Sequence, residues 1–192
     1  MYYIIVNKLL EYRMEGKKLL VLSDTHGNIP ALREVLNWAL TRLPPNDTIN
    51  AAVFLGDGIS NLRPAADATG FFCEWKLVKG NNDHGFSIPE AAVFDFCGHR
   101  FFICHGHRYA LYNGYHTLIA AARNREADAA LFGHTHTPYC KNTDGILLVN
   151  PGSIGRPRSE SGATFALIEC ALGKPLEVHF WGIASNGEIR EV

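Results

Sequence analysis

Leu19-Leu20-Val21-Leu22-Ser23-Asp24-Thr25-His26-Gly27-Asn28 runs from an unbroken aliphatic stretch into a cluster of hydroxyl, carboxylate, imidazole and glycine. Consecutive large aliphatics read as a buried strand. Beyond the cluster, Asn28 is placed to cap a helix and Pro30 is tolerated in its first turn. Leu32, Val35, Leu36, Ala39 and Leu43 then recur at helical spacing along one face. Strand, polar turn and amphipathic helix in that order make an α/β unit.

The same punctuation recurs along the chain. The apolar run 51–55 ends at Gly56-Asp57, and the run 73–78 ends shortly before Gly80-Asn81-Asn82-Asp83. Runs 91–96 and 100–104 read as a hairpin turning at Cys97-Gly98-His99, with the second arm ending at His105-Gly106-His107. A helix follows, with Leu111, Tyr115, Leu118, Ile119 and Ala122 on one face. Run 129–132 ends at Gly133-His134-Thr135-His136, and run 146–149 at Asn150-Pro151-Gly152-Ser153. Runs 164–170 and 176–181 flank Gly173-Lys174-Pro175, a second hairpin. Strand–helix alternation followed by strand-rich sequence predicts packed sheets with helices outside.

Composition narrows the function. The 192 residues are 47% hydrophobic and 19% charged, which fits one globular domain with a large core. A net charge of −1 argues against a large nucleic-acid footprint, which needs many Lys/Arg–phosphate contacts. No apolar run reaches the roughly 18 residues of a membrane span. Residues 1–13 carry a short apolar stretch, Tyr2 to Val6, without a basic region or a cleavage site. They read as an N-terminal extension, dispensable for chemistry, ahead of a domain over 14–192. The five cysteines are odd in number and widely spaced, which fits reduced thiols in the cytoplasm.

Five polar clusters share one context, each lying just past an apolar run. Ligands of α/β sheets gather beyond the strand carboxyl ends, so these clusters are expected to converge there. On extended backbone, the i, i+2 spacing of Asp24/His26 and of His134/His136 points each pair one way. Carboxylate, imidazole and amide oxygen, with no thiolate, suit Mn, Fe, Ni, Co or Zn.

Ser23-Asp24-Thr25-His26-Gly27-Asn28, Gly56-Asp57, Gly80-Asn81-Asn82-Asp83, Cys104-His105-Gly106-His107 and Gly133-His134-Thr135-His136 together resemble the calcineurin-like metallophosphoesterase superfamily. Small size and Asn150-Pro151-Gly152-Ser153 resemble its bacterial and archaeal YfcE-like phosphodiesterase branch. The resemblance runs from about Lys17 to the C-terminus. It implies an α/β (α+β) fold: a four-layer α/β/β/α sandwich, two mixed β-sheets flanked by helices, with a dinuclear metal site at the strand C-terminal ends. It implies two divalent transition-metal ions, manganese first and nickel, iron, cobalt or zinc next. Asp24, His26, Asp57 and His136 would hold one, and Asp57, Asn81, His105 and His134 the other, with Asp57 bridging. The implied reaction is hydrolysis of a small phosphodiester by in-line attack of a metal-bridging hydroxide. Alternatives within the resemblance are a phosphomonoesterase, a nuclease, or a retromer-subunit-like scaffold with little catalysis. A homo-oligomer is compatible with each. Survival of every implied ligand favours the enzyme.

One position departs from the broader superfamily. Many members carry a histidine where this chain has Asn82, and an amide cannot act as a general acid. That favours good leaving groups or a surrogate acid, for which His84 and His107 are the candidates. Asp57, Asn81, Asn82 and His107 therefore form the expected catalytic set. Arg156 and Arg158 are candidates for phosphate contact. Tyr109 and Tyr112 are candidates for stacking, while Tyr115 fits a core-facing helix position. Cys104, beside His105 on a strand, should point the other way into the core.

Overall fold

A computed structural model describes residues 16–41 and 48–192. Leu43 and the proposed extension over residues 1–13 lie outside the described residues.

Two mixed sheets carry the fold. The first has the order β11-β10-β9-β1-β2-β3, formed by β1 (Lys17–Leu22), β2 (Ile49–Phe54), β3 (Glu74–Leu77), β9 (Ala163–Cys170), β10 (Glu177–Ile183) and β11 (Ile189–Glu191). The second has the order β4-β5-β6-β8-β7, formed by β4 (Ala91–Phe96), β5 (His99–Cys104), β6 (Ala129–Phe132), β7 (Pro138–Thr143) and β8 (Ile146–Pro151). Strands β1, β2 and β3 run parallel, as do β5, β6 and β8. Their carboxyl ends therefore emerge at one rim of each sheet.

Alternation along the strands sorts the side chains into layers. Leu19 and Val21 of β1 face Phe101, Ile103, Leu131 and Val149 across the space between the sheets. Leu20 and Leu22 face outward and pack with Phe54 against α1 (Ile29–Thr41) and α2 (Ile59–Thr69), through Leu32, Leu36, Trp38 and Leu62. Phe102, Cys104 and Phe132 face outward from the other sheet onto Leu118, Ile119 and Ala122 of α3 (His116–Arg123). The result is the α/β/β/α sandwich the sequence implied. Each fully buried Leu or Phe in these layers contributes about 1.5–3 kcal/mol. Asn28 does cap α1, its Oδ1 accepting from the Ala31 N–H at 3.2 Å.

Three departures from the sequence reading have physical causes. The single helix expected after the His105 loop is broken in two. Leu111–Asn113 forms a 3₁₀ turn, Gly114 at φ 103° interrupts it, and α3 begins at His116. Helix α2 carries no clear periodic signal, because Pro64 sits inside it and its apolar positions are few. β7 also went unread, since most of its side chains are polar and half-buried or exposed at the sheet edge. Among the described residues no helix is long and apolar enough to cross a membrane.

Candidate metal centre

The loops that leave β1, β2, β3, β5 and β6 are laced to one another at the rim. The Asp24 N–H donates to the Gly56 carbonyl at 3.0 Å, and His26 N–H to Asp57 O at 3.0 Å. Gly133 N–H donates to His105 O at 2.9 Å. The glycines allow this nesting. A Cβ at Gly80 would fall 2.0 Å from Asp57 Oδ1, and one at Gly133 2.0 Å from Ser23 Oγ.

The backbone at the site is not extended, which corrects the i, i+2 expectation. Asp24, His26, Asp57, His134 and His136 all adopt left-handed φ, between 43° and 68°. Such residues cost on the order of 1–3 kcal/mol each and persist only where their surroundings hold them. Those surroundings are visible. Asp83 carries the largest share: its Oδ2 accepts from the N–H of Asp57 at 2.6 Å and Gly80 at 2.9 Å, and its Oδ1 from Gly58 at 2.8 Å and Ile59 at 2.9 Å. Asn61 Oδ1 accepts from Thr25 Oγ1 at 2.7 Å and from Gly27 N–H at 3.0 Å, fixing the Asp24–His26 turn. Ser153 Oγ donates to the Asp24 carbonyl at 2.8 Å, and Asn150 Nδ2 to the Gly133 carbonyl at 2.9 Å. Asn61 and Asp83 were missed as supports. Asn61 lies on the unread helix α2, while Asp83 was in view as the last residue of its motif.

Two groups of ligand-type side chains result, Asp24/His26/His136 and Asp24/Asp57/His105, with donor atoms inside each within 4.8 Å of one another. Asp24 Oδ1 lies 3.1 Å from His136 Nε2, 3.6 Å from His26 Nε2 and 3.9 Å from His105 Nε2. Asp57 Oδ2 lies 3.5 Å from His105 Nε2 and 3.7 Å from His26 Nε2. His105 Nδ1 donates to the Leu55 carbonyl at 2.7 Å and His136 Nδ1 to the Arg156 carbonyl at 2.6 Å. A carbonyl only accepts, so each bond aims Nε2 at the carboxylates, as in metal-ligating histidines.

Burial would push the Asp24 carboxyl up, but His136, His26, the His105 charge and Ser23 outweigh it and hold it far below the usual carboxylate range. Burial opposes ionisation of Asp57 too, yet His105 and the Asn82 N–H groups hold it down to about 2. Burial disfavours charge on His105, while Asp57 and Asp24 more than offset that and raise it. The two ionised carboxylates make the site one that favours a cation.

Buried polar atoms without partners test whether metal ions fit. Asp24 Oδ1 and His105 Nε2 are buried and make no hydrogen bond. The Nε2 atoms of His26 and His136 face each other at 3.1 Å. Leaving the first two unsatisfied costs about 1–3 kcal/mol each, and cations among the four atoms would engage every one. The donor set fits.

The other expected residues fall out unevenly. His134 and Asn81 line a cavity onto which His26, Asp57 and His136 open, the His134 ring lying 5.1 Å from that of His105. His134 belongs to neither of the two tight groups. Asn82 also lines the cavity but is engaged, donating to Asp57 Oδ1 through its N–H at 2.8 Å and to Oδ2 through Nδ2 at 2.5 Å. His107 does not line the cavity, although its ring lies 5.5 Å from that of His105; burial, then the His105 charge, lowers its pKa. His84 is exposed and also off the cavity. Tyr112, Arg156 and Arg158 line it. Tyr109 and Tyr115 pack instead on Phe102 and Phe132. Cys104 is buried in the outward layer, where burial pushes its thiol far up.

A sandwich with carboxylates and imidazoles gathered at its rim defines a class of metal-binding phosphoesterases. The chain belongs to the calcineurin-like phosphoesterase superfamily, whose domain model matches residues 18–173. It is 32% identical over 146 residues to a probable metallophosphoesterase of Mycoplasma pneumoniae, covering 74% of this chain and 82% of that protein. It is 28% identical over 172 residues to the phosphodiesterase YfcE of Escherichia coli K12, covering 79% and 87%. Its fold matches a conserved Streptococcus pneumoniae TIGR4 protein, described as a predicted phosphoesterase, at TM-score 0.72 and 25% identity, covering 93% and 98%. Entamoeba histolytica Vps29 in complex with zinc has the same fold at TM-score 0.73 and 22% identity, covering 91% and 97%.

Proposed function

We propose that the protein is a metal-dependent phosphodiesterase acting on a small phosphoester. The observation that carries this is the pair of buried atoms, Asp24 Oδ1 and His105 Nε2, that lack partners and face further imidazoles and Asp57. Asp24, His26 and His136 would hold one divalent ion, and Asp57, His105, His134 and Asn81 a second, with manganese the first choice. Asp24 belongs to both groups, and Asp57 Oδ2 lies 3.7 Å from His26 Nε2 in one and 3.5 Å from His105 Nε2 in the other. When bound, two such ions supply an activated water at neutral pH and neutralise the phosphoryl oxygens of an in-line displacement.

The chain's own residues do the rest. Asp83 and Asn61 hold the carboxylate loops in their strained conformations. Asn82 orients Asp57 through two N–H groups and adds to the stronger effect of His105 in keeping it ionised. It carries no transferable proton, so the leaving group departs largely unaided and good leaving groups are favoured. A cavity of about 380 Å³ suits a small substrate. Five free cysteines, Cys140 among them exposed, suit a reducing cytoplasm.

The test is a kinetic panel of phosphodiesters, phosphomonoesters and cyclic nucleotides on chelator-stripped protein reloaded with each metal. Aryl diesters should be turned over best. Turnover of monoesters alone would make it a phosphomonoesterase. Metal uptake without any turnover would favour a scaffold role.

A further inference from the structure

The cavity has a second wall that the metal-facing residues do not explain. It is made by Tyr112, Arg156, Pro157 and Arg158. Tyr112 is 67% exposed, whereas Tyr109 and Tyr115 are packed into the layer under α3. The 3₁₀ turn that presents it is bounded by left-handed backbone at Ala110 and by Gly114, so its place is set by the chain path. Its ring centroid lies 5.9 Å from that of His134, at an interplanar angle of 60°. Arg158 Nη1 donates to Tyr112 Oη at 3.1 Å.

The two arginines are held by the metal-facing loop itself. Arg158 N–H donates to the His136 carbonyl at 3.0 Å, His136 Nδ1 to the Arg156 carbonyl at 2.6 Å, and Arg156 N–H to Ser153 Oγ at 2.8 Å. Arg63, Arg100, Arg108 and Arg123 each pair with a carboxylate. Among the described residues, no carboxylate pairs with Arg156 or Arg158, the two that face the cavity. Guanidinium forks without a carboxylate partner, beside a phosphoryl site, suit anionic oxygens. An open aromatic face suits a planar ring.

We propose that Tyr112, Arg158 and Arg156 form a specificity subsite for a planar aromatic substituent on the substrate, with the guanidiniums taking its anionic oxygens. The proposal rests on the phosphoesterase reading and deepens it by naming the substrate class. The cavity, at about 380 Å³, lies near the small end of ligand pockets, so it takes a phosphoryl group and one ring rather than a polymer. Tyr112 supplies the stacking face, and the Arg158 hydrogen bond fixes that face against the cavity wall.

The test is equilibrium binding by calorimetry to the full, manganese-loaded chain. Phenylphosphonate and ethylphosphonate present the same charged head and no hydrolysable bond, so their Kd ratio reports the ring alone. Thymidine 5′-phosphate separates a nucleobase from a simple ring. Phenylphosphonate should bind about 5-fold or more tightly than ethylphosphonate, the lower end of aromatic stacking. Tyr112→Leu should bring the ratio to near one, and Tyr112→Phe, which keeps the ring but not the Arg158 hydrogen bond, should lower it without abolishing it. Arg158→Gln should weaken all three ligands. The ratio does not depend on the fraction of folded protein. A wild-type ratio near one, a ratio that survives Tyr112→Leu, or no binding of any ligand would overturn the subsite. Discrimination without turnover of any phosphoester would instead remove the enzymatic reading and leave the subsite standing.

Discussion

Replacing Asp83 by Asn changes one atom in the residue that joins the Asp57 loop to the Asn81 loop. Both carboxylate oxygens are in use, each accepting two backbone N–H bonds. In Asn, one end becomes an NH₂ that presents hydrogens to two N–H groups. Whichever way the amide turns, two buried donors lose their acceptor, at about 1–3 kcal/mol each. The remaining two bonds lose the assistance of a full charge. The sum is about 2–6 kcal/mol. At about 2–4 °C per kcal/mol for a chain of this size, the midpoint near 4 kcal/mol lowers Tm by about 8–16 °C. Thermal unfolding of metal-free protein followed by circular dichroism measures it. Asp67→Asn is the control: it removes the same charge from an exposed i, i+4 pair with Arg63 and should move Tm little. Manganese affinity should also fall about 10-fold or more, because Asp57 is delivered by the loop that Asp83 holds. An Asp83→Asn Tm within 2 °C of wild type, by the same scale, would refute the role assigned to the carboxylate.

Three further outcomes follow from the site. His105→Ala should abolish uptake of one ion and most activity, whereas His107→Ala should be milder; the reverse order, read by metal analysis and kcat, would mean that the wrong histidine is the ligand. Asn82→His should flatten the dependence of kcat on leaving-group pKa and extend activity to alkyl esters; a wild-type plot that is already flat would show efficient proton donation. In metal-free protein, Asp24 and Asp57 are lowered, so the unfolded state binds more protons and stability is lost as pH falls from the ordinary carboxylate value of about 4 toward about 2. His105 is raised, so its contribution is full below about 6.5 and is lost as pH climbs through its folded value. Tm of stripped protein should therefore peak between these limits, and a steady rise from pH 5 to 8 would contradict the assignment.

Much of this was legible because period and punctuation are local properties. Leu19 to Leu22 alternate between two layers, and the sequence shows both faces apolar. The polar clusters stand at strand ends, so topology alone brings them together. The left-handed turns at Asp24, His26, Asp57, His134 and His136 were not legible, since no side-chain pattern announces a φ that distant partners enforce. Asn61 was hidden with the Pro-containing helix that carries it. Asp83 stood in plain view, but its four N–H partners come from two separate loops that only folding unites. Tyr112 became separable from Tyr109 and Tyr115 only when Gly114 broke the expected helix and turned its ring toward the cavity.

The most direct test of the central claim is activity against metal equivalents. Stripped protein at high concentration is titrated with Mn²⁺ while hydrolysis of an aryl phosphodiester is followed. The account predicts no turnover without metal, a rise with added ion and a break at two ions per chain, with Asp24→Ala abolishing it. Full turnover by the stripped protein, or a break at one ion with no further gain, would contradict it.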